Sequence, residues 1–385
     1  MEPLQPIPIQ AILAARERIA GAAIRTPLVR LNVLDGPEIY LKLENLQPIG
    51  SFKIRGAGNA LAAMGRERLE RGVYTASAGN MAQGVAWCAR LLGVRCRVIV
   101  PETAPETKLA AIQRLGGEII KVSFDEWWQV MVNHGHPDID AEFVHPVSDP
   151  EVMAGNGTVA IEILEDLPDV ATVLVPYGGG GLSCGIASAI RAVKPEIRVF
   201  ACEVATAAPL AASLQAGTPT TIDYTPSWVD GIGSKSVLAE MWPLVNAVLD
   251  GALVVPLEAV AGAVRVLAER NRVVAEGAGA TAVAAALAGL AGEGKIVCVI
   301  SGGNIDAAKL GHILLGEMLG THPPEPVKAK AQSGRGRRTA AARAAAAPAD
   351  AQPEPEASVA PAAEVPTTAK APRKRATRAK APAGA

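Results

Sequence analysis

Short runs rich in Val and Ile alternate with amphipathic or alanine-rich stretches from residue 9 to about residue 316. A compact apolar run reads as a buried strand, and apolar residues recurring at three- and four-residue spacing read as one face of a helix. Strands are expected at Glu38–Glu44, Val73–Ser77, Cys96–Pro101, Glu118–Val122, Ala171–Tyr177, Val199–Glu203, Leu253–Pro256 and Ile296–Ser301. Helices are expected at Ile9–Gly21, Gly56–Arg71, Ala82–Leu92, Glu106–Leu115, Thr158–Leu164, Ser183–Val193, Leu257–Asn271 and Ala280–Leu290. This order predicts an α/β protein, an open and mostly parallel sheet covered by helices. Ligands of such sheets gather at the carboxyl ends of the strands, where strand-to-loop junctions expose backbone donors.

Composition agrees with that class: 385 residues are 49% apolar but only 3% aromatic, with 38 glycines. Small residues suit close contact of helices with strands. The five cysteines, Cys88, Cys96, Cys184, Cys202 and Cys298, lack metal or disulfide spacing and read as reduced, packed thiols. His134, His136, His145, His312 and His322 show no metal spacing, and none is assigned to catalysis. The longest uncharged stretch, Val170 to Ile190, is interrupted by Pro176 and four consecutive glycines, so no membrane span is expected. The opening residues lack the basic and apolar regions of a signal peptide, so a cytoplasmic location is expected.

Charge is unevenly spread. From Pro326 onward there are 12 Lys/Arg against 4 Asp/Glu, leaving 25 basic and 34 acidic residues before it. Residues 321–385 are Ala/Pro/Lys/Arg-rich with almost no large apolar side chains, which predicts a disordered basic tail. Its clusters Arg335-Gly336-Arg337-Arg338 and Lys370 to Lys380 suit a polyanion, although the same composition serves a merely solvated tail.

Four junctions carry candidate chemistry. Ser51-Phe52-Lys53-Ile54-Arg55-Gly56-Ala57 places one lysine between Phe and Ile, where an apolar pocket lowers its pKa and makes its amine a nucleophile. Ser77-Ala78-Gly79-Asn80 ends a strand and opens a helix, a receptor for a carboxylate or simply an ordinary helix cap. Val175-Pro176-Tyr177-Gly178-Gly179-Gly180-Gly181-Leu182-Ser183 sets four glycines between strand and helix, forming a nest of N–H groups for a phosphate. It matches neither GxGxxG nor GxxxxGK[ST], so a dinucleotide or nucleoside triphosphate is not inferred. Ile300-Ser301-Gly302-Gly303-Asn304 ends the last strand with a hydroxyl that can bond a ring nitrogen without protonating it. Glu203, Asp230-Gly231-Ile232-Gly233 and Glu276-Gly277-Ala278-Gly279-Ala280 read as turns.

In this order and spacing, the four segments resemble the fold-type II pyridoxal-phosphate enzymes, within them the threonine/serine dehydratase and serine racemase family, from about Ile24 to Gly316. The resemblance implies two open, twisted, mostly parallel sheet domains of the tryptophan-synthase-β type. A large domain would comprise residues 1–50 and 150–320, and a small one 51–149 carrying the lysine and the SAGN loop. It implies pyridoxal 5'-phosphate as cofactor, held by Lys53 as a Schiff base. Phe52 would lie along the ring, Asn80 at the ring oxygen, Gly178, Gly179, Gly180, Gly181 and Leu182 on the phosphate, and Ser301 at the ring nitrogen. Ser77, Ala78, Gly79 and Asn80 would receive the substrate carboxylate. A homo-oligomer, dimer or tetramer, is implied as well.

Departures from the family pattern narrow the expected reaction. Serine racemases carry a second Ser where this chain has Ala78, so the proton-transfer partner opposite Lys53 is missing and β-elimination from a 3-hydroxy amino acid such as threonine or serine is expected. The loop's usual His is Met81, a change that bears on which substrate side chain fits. Metal-binding relatives place acidic residues after the strand ending at Glu203; only the first is present here, and no metal is assigned. Racemisation, dehydration of a bulkier hydroxy acid, and nucleic-acid binding through the tail are the competing readings.

Overall fold

The computed structural model describes residues 3–33 and 36–317, so the expected basic tail lies outside the described residues. The chain runs α1 (Ile9–Arg18), β1 (Leu28–Arg30), β2 (Ile39–Lys42), α2 (Lys53–Leu69), β3 (Val73–Ala76), α3 (Asn80–Leu92), β4 (Cys96–Pro101), α4 (Glu106–Arg114), β5 (Gly117–Val122) and α5 (Phe124–Val132). It continues through β6 (Glu142–Phe143), α6 (Pro150–Asp166), β7 (Thr172–Pro176), α7 (Gly181–Val193), β8 (Arg198–Val204), α8 (Pro209–Ala216), α9 (Trp242–Val248), β9 (Gly251–Val255), α10 (Leu257–Val266), α11 (Gly277–Leu287), β10 (Ile296–Val299) and α12 (Ala307–Leu315). Among the described residues no helix is long and apolar enough to cross a membrane.

Two sheets result. One has the order β1-β2-β10-β7-β8-β9, parallel except for β1, and the other the order β5-β4-β3-β6, parallel throughout. Parallel strands are covered on both faces and therefore read as near-continuous apolar runs. Alternate residues of the larger sheet enter opposite cores: Val173, Val199, Val297 and Val299 pack on one face, and Leu174, Cys202, Ile296 and Cys298 on the other.

All eight expected strands are present; β1 and β6, of three and two residues, were too short to show an apolar pattern. The helix expected from Gly56 begins at Lys53 instead, so Lys53 opens the helix and does not sit in the loop before it. The helix expected at Thr158–Leu164 is a fragment of α6, which starts at Pro150 with Asp149 accepting from Glu151 and Val152 N–H. Pro at the first helical position and Asp at the cap together set this start.

Helix α6 packs between α2 and α7 with backbone against backbone. A Cβ on Gly155 would lie 2.3 Å from the Arg55 carbonyl oxygen, and one on Gly185 would lie 2.3 Å from that of Met153. Beside these crossings is a buried cluster of charges. Arg55 bonds Glu44 and Glu162 at 2.7 Å each, and Lys42 bonds Glu162 at 2.6 Å, tying β2, α2 and α6 together with two charges of each sign. Removing one partner would leave a buried charge unmatched, which typically costs about 3–5 kcal/mol.

The close crossing yields a paired prediction. Gly155→Ala should lower stability by about 2 kcal/mol, as overpacking does. Gly262→Ala, on the exposed side of α10 with nothing within 4 Å, should be neutral or stabilising by up to about 1 kcal/mol. Urea unfolding of the two variants checks this, and equal midpoints would contradict it.

Candidate active site

The loops after β10 and before α2 pair directly. Phe52 N–H donates to the Ser301 carbonyl at 3.0 Å, Gly303 N–H donates to the Gly50 carbonyl at 2.9 Å, and Ser51 bridges Gly302 in antiparallel fashion. Lys53 is thereby held against the segment that carries Ser301. Its side chain is half-buried, with Nζ 5.3 Å from the Phe52 ring centroid and donating to the Pro146 carbonyl at 2.7 Å. Burial pulls its pKa down to about 8.

Pro146 links this lysine to the glycine-rich loop. The next residue, Val147, lies so close that a Cβ on Gly179 would come within 2.6 Å of Val147 Cγ1, and one on Gly181 within 2.8 Å of the Val147 carbonyl. Gly180 caps α7 with φ +99°, a left-handed conformation that favours glycine. None of the N–H groups from Gly178 to Leu182 donates to a protein acceptor among the described residues. A run of free donors at the start of a thirteen-residue helix fits a phosphate dianion.

The SAGN loop closes the arrangement. Gly79 caps α3 and its N–H donates to Ser77 Oγ at 3.2 Å, while Ala78 sits at the edge of the smaller sheet's core. Asn80 is engaged from two sides: its Nδ2 donates to Glu276 Oε1 at 2.9 Å, and its Oδ1 accepts from Asn304 Nδ2 at 2.8 Å. An amide nitrogen carries two hydrogens, so one remains for a ligand. Glu276 in turn donates its N–H to the Gly302 carbonyl at 3.0 Å, next to Ser301, which is buried. The four junctions picked out by their residues therefore meet in space.

Several residues read as plain turns belong to the same assembly. Burial, then the nearby negative charge of Asp230, raises the Glu276 carboxyl to about 7, although its bond from Asn80 works the other way. Gly231 sits with a Cβ position 3.3 Å from Glu276 Oε1, and Ile232 Cα is 3.6 Å from the Cβ position of Gly178. Asp230 pairs with Lys108 of α4 at 2.9 Å, joining the region around the smaller sheet to this loop. A lone acidic residue before a Gly/Ala-rich helix gave Glu276 its only sequence signal. Met81, expected to bear on substrate fit, is instead packed in the core of the smaller sheet, 1% exposed. Glu203 accepts the N–H groups of Leu210 and Ala211 at 2.9 and 2.8 Å and so caps α8, while burial raises its carboxyl to about 7.

Comparison with known proteins agrees with this geometry. The chain is 43% identical over 307 residues to an L-threonine ammonia-lyase of Geobacter sulfurreducens, covering 78% of this chain and 76% of the relative. It is 37% identical to the catabolic L-threonine dehydratase of Escherichia coli K12, over 80% of this chain and 96% of that protein. Maize serine racemase superimposes with a TM-score of 0.75 at 33% identity, covering 81% of this chain and 98% of that one. Residues 19–302 match the family described as "Pyridoxal-phosphate dependent enzyme", and the chain belongs to that family.

Proposed function

We propose that the protein is a threonine ammonia-lyase, acting on L-threonine or L-serine to give a 2-oxo acid and ammonia. What supports the reading is the Lys53 amine, bound to the Pro146–Val147 turn that packs on a nest of N–H groups without protein acceptors among the described residues, together with Ala78 in the SAGN loop where serine racemases carry a second Ser. Names and identities of the relatives point to the same substrate class.

The free donors from Gly178 to Leu182 suit the cofactor phosphate, Phe52 the ring face, Asn80 the ring oxygen and Ser301 the ring nitrogen. When bound, pyridoxal 5'-phosphate supplies the carbonyl that joins the substrate amine and the conjugated ring that draws electrons from the α-carbon. The Ser77, Ala78, Gly79 and Asn80 segment, at the N-terminus of α3, receives the substrate carboxylate through the Ala78 and Asn80 N–H groups, the Ser77 hydroxyl and the helix dipole, the N–H groups of Ser77 and Gly79 being held by Ile99 and Ser77. The lowered pKa of Lys53 supplies a neutral amine that takes the α-proton. With the cofactor bound, the buried Ser301 hydroxyl would bond the ring nitrogen without protonating it, which would make the ring a weaker electron sink and favour loss of the β-hydroxyl. Water leaves first and is then consumed as the nitrogen is released as ammonia, so the net products are the 2-oxo acid and ammonia.

Racemisation is the second reading, favoured by the likeness to maize serine racemase. Ala78 opposes it, because a methyl group exchanges no proton. The proposal also takes residues 51–149 as a small domain and 1–50 with 150–320 as a large one, in line with the membership of the two sheets. It includes a dimeric or tetrameric assembly, a cytoplasmic location and contact of the basic tail with a polyanion.

Lys53→Ala should remove both the yellow colour of the bound cofactor and turnover; full activity in that variant would sink the mechanism. With the amine titrating at about 8, only about a tenth is neutral at pH 7. Rate should therefore climb through about pH 8 to a plateau, and a flat profile between pH 6 and 9 would count against Lys53 as the base. Ala78→Ser should raise the yield of inverted substrate relative to 2-oxo acid, read by chiral chromatography beside a ketone assay.

A further inference from the structure

Among the described residues Lys53 Nζ has one hydrogen-bond partner, the Pro146 carbonyl, and what holds that carbonyl in place is a histidine that the reaction does not use. His145 Nδ1 accepts the N–H groups of Val147 at 3.1 Å and Ser148 at 2.8 Å, and its Nε2 faces the Met131 carbonyl at 3.3 Å. Two donors into Nδ1 and an acceptor at Nε2 are compatible with one state only, the neutral ring with its proton on Nε2. Pro146 has no N–H of its own, so the donors of this turn are those of the two residues that follow. The ring is buried, stacked on His134 at 4.1 Å between centroids and set edge-on to Phe143 at 5.9 Å.

We propose that His145 is a positioning residue: as a fixed neutral acceptor it holds the 145–148 turn, which presents the Pro146 carbonyl to Lys53 and seats Val147 against Gly179 and Gly181. One ring thus aligns the amine with the phosphate nest. Burial first, then His134, keep His145 down at about 3, so it stays an acceptor wherever the enzyme works. The titratable groups facing the turn are His134, whose Nε2 lies 3.2 Å from Ser148 Oγ and 3.5 Å from Glu240 Oε1, Lys53 itself, and Asp149, which caps α6. An accepting carbonyl stabilises the ammonium form of Lys53. Losing it therefore lowers the lysine pKa further.

The inference rests on Lys53 as the base, and the test separates the two. The bonds from residue 145 to the N–H groups two and three positions on are those an Asn side chain makes in an Asx turn. His145→Asn keeps the acceptor and loses the ring; His145→Phe keeps the ring and loses the acceptor. In the holoenzyme, His145→Phe should move the ascending limb of the kcat profile about one pH unit lower, the worth of one hydrogen bond to a charged group. Its kcat at the plateau should fall about tenfold through misplacement of the amine, with KM little changed. His145→Asn should retain the wild-type limb and most of kcat. If Phe behaves as wild type and Asn does not, the ring matters only as packing and the proposal is overturned. If both variants keep the wild-type limb, it is overturned while Lys53 remains the base; if the wild type itself shows no limb, the reading of Lys53 fails. Nitrogen NMR of the wild-type holoenzyme needs no variant: His145 should hold its Nε2–H tautomer without titrating from pH 6 to 9, and an Nδ1–H tautomer or a titration there overturns the proposal.

Discussion

Everything at the site depends on the backbone-to-backbone contact of α6 with α2 on one side and α7 on the other. Any side chain at Gly155 or Gly185 would meet a carbonyl oxygen at 2.3 Å, so the three helices approach with no side-chain layer between them. Interiors packed this tightly transmit displacement with little slack. Because α2 begins at Lys53 and α7 begins at Gly181, their separation sets how far the amine stands from the nest of N–H groups. Asn156 adds a bond from α6 to the Gly181 carbonyl at 3.2 Å. The Arg55–Glu44–Glu162–Lys42 cluster adds side-chain ties from α2 to α6 and to β2. Within that spacing, the loop from His145 to Ser148 touches both ends.

The site built on this frame offers one amine, Lys53, while the Glu276 carboxyl, raised to about 7 by burial, is bound by the Asn80 amide. Lys53 is brought to about 8 by burial, with no carboxylate needed. Asn80 is steadied by Glu276 and Asn304, so the amide at the head of α3 is oriented before any ligand arrives. Pre-oriented polar groups lose little entropy on binding. In the proposed reading Ala78 stands across from the lysine, and it has only a methyl group to offer. An amine that removes a proton, with no partner to return one on the other face, matches elimination better than inversion.

Much of this was legible in the residues because parallel strands buried on both faces have continuous apolar runs, and the loops at their ends carry glycines and small polar groups. The Gly178–Gly181 run was visible because four glycines between a strand and a helix have few uses besides close approach to a ligand. Other parts were hidden for physical reasons. The first half of α6 looked irregular because Gly155, Asn156 and Gly157 weaken a helical pattern, yet those glycines are what the crossing needs. Met81 stands at a motif position that bears on substrate fit in the sequence pattern, whereas the turn of α3 carries its side chain into the core. Glu276, Asp230 and the Pro146 turn have little local signature, since their roles come from partners 93 to 196 positions away or from backbone carbonyls that no side-chain pattern records.

The central claim is that one amine removes the α-proton and the β-hydroxyl then leaves. Its most direct test is incubation of the holoenzyme with L-threonine deuterated at the α-carbon, following ammonia, 2-oxo acid and the configuration of the remaining substrate together. Equimolar ammonia and 2-oxo acid, formed more slowly than from unlabelled substrate and with the unreacted threonine still of the L configuration, are predicted. Threonine epimerised at its α-carbon with no ammonia released would contradict it.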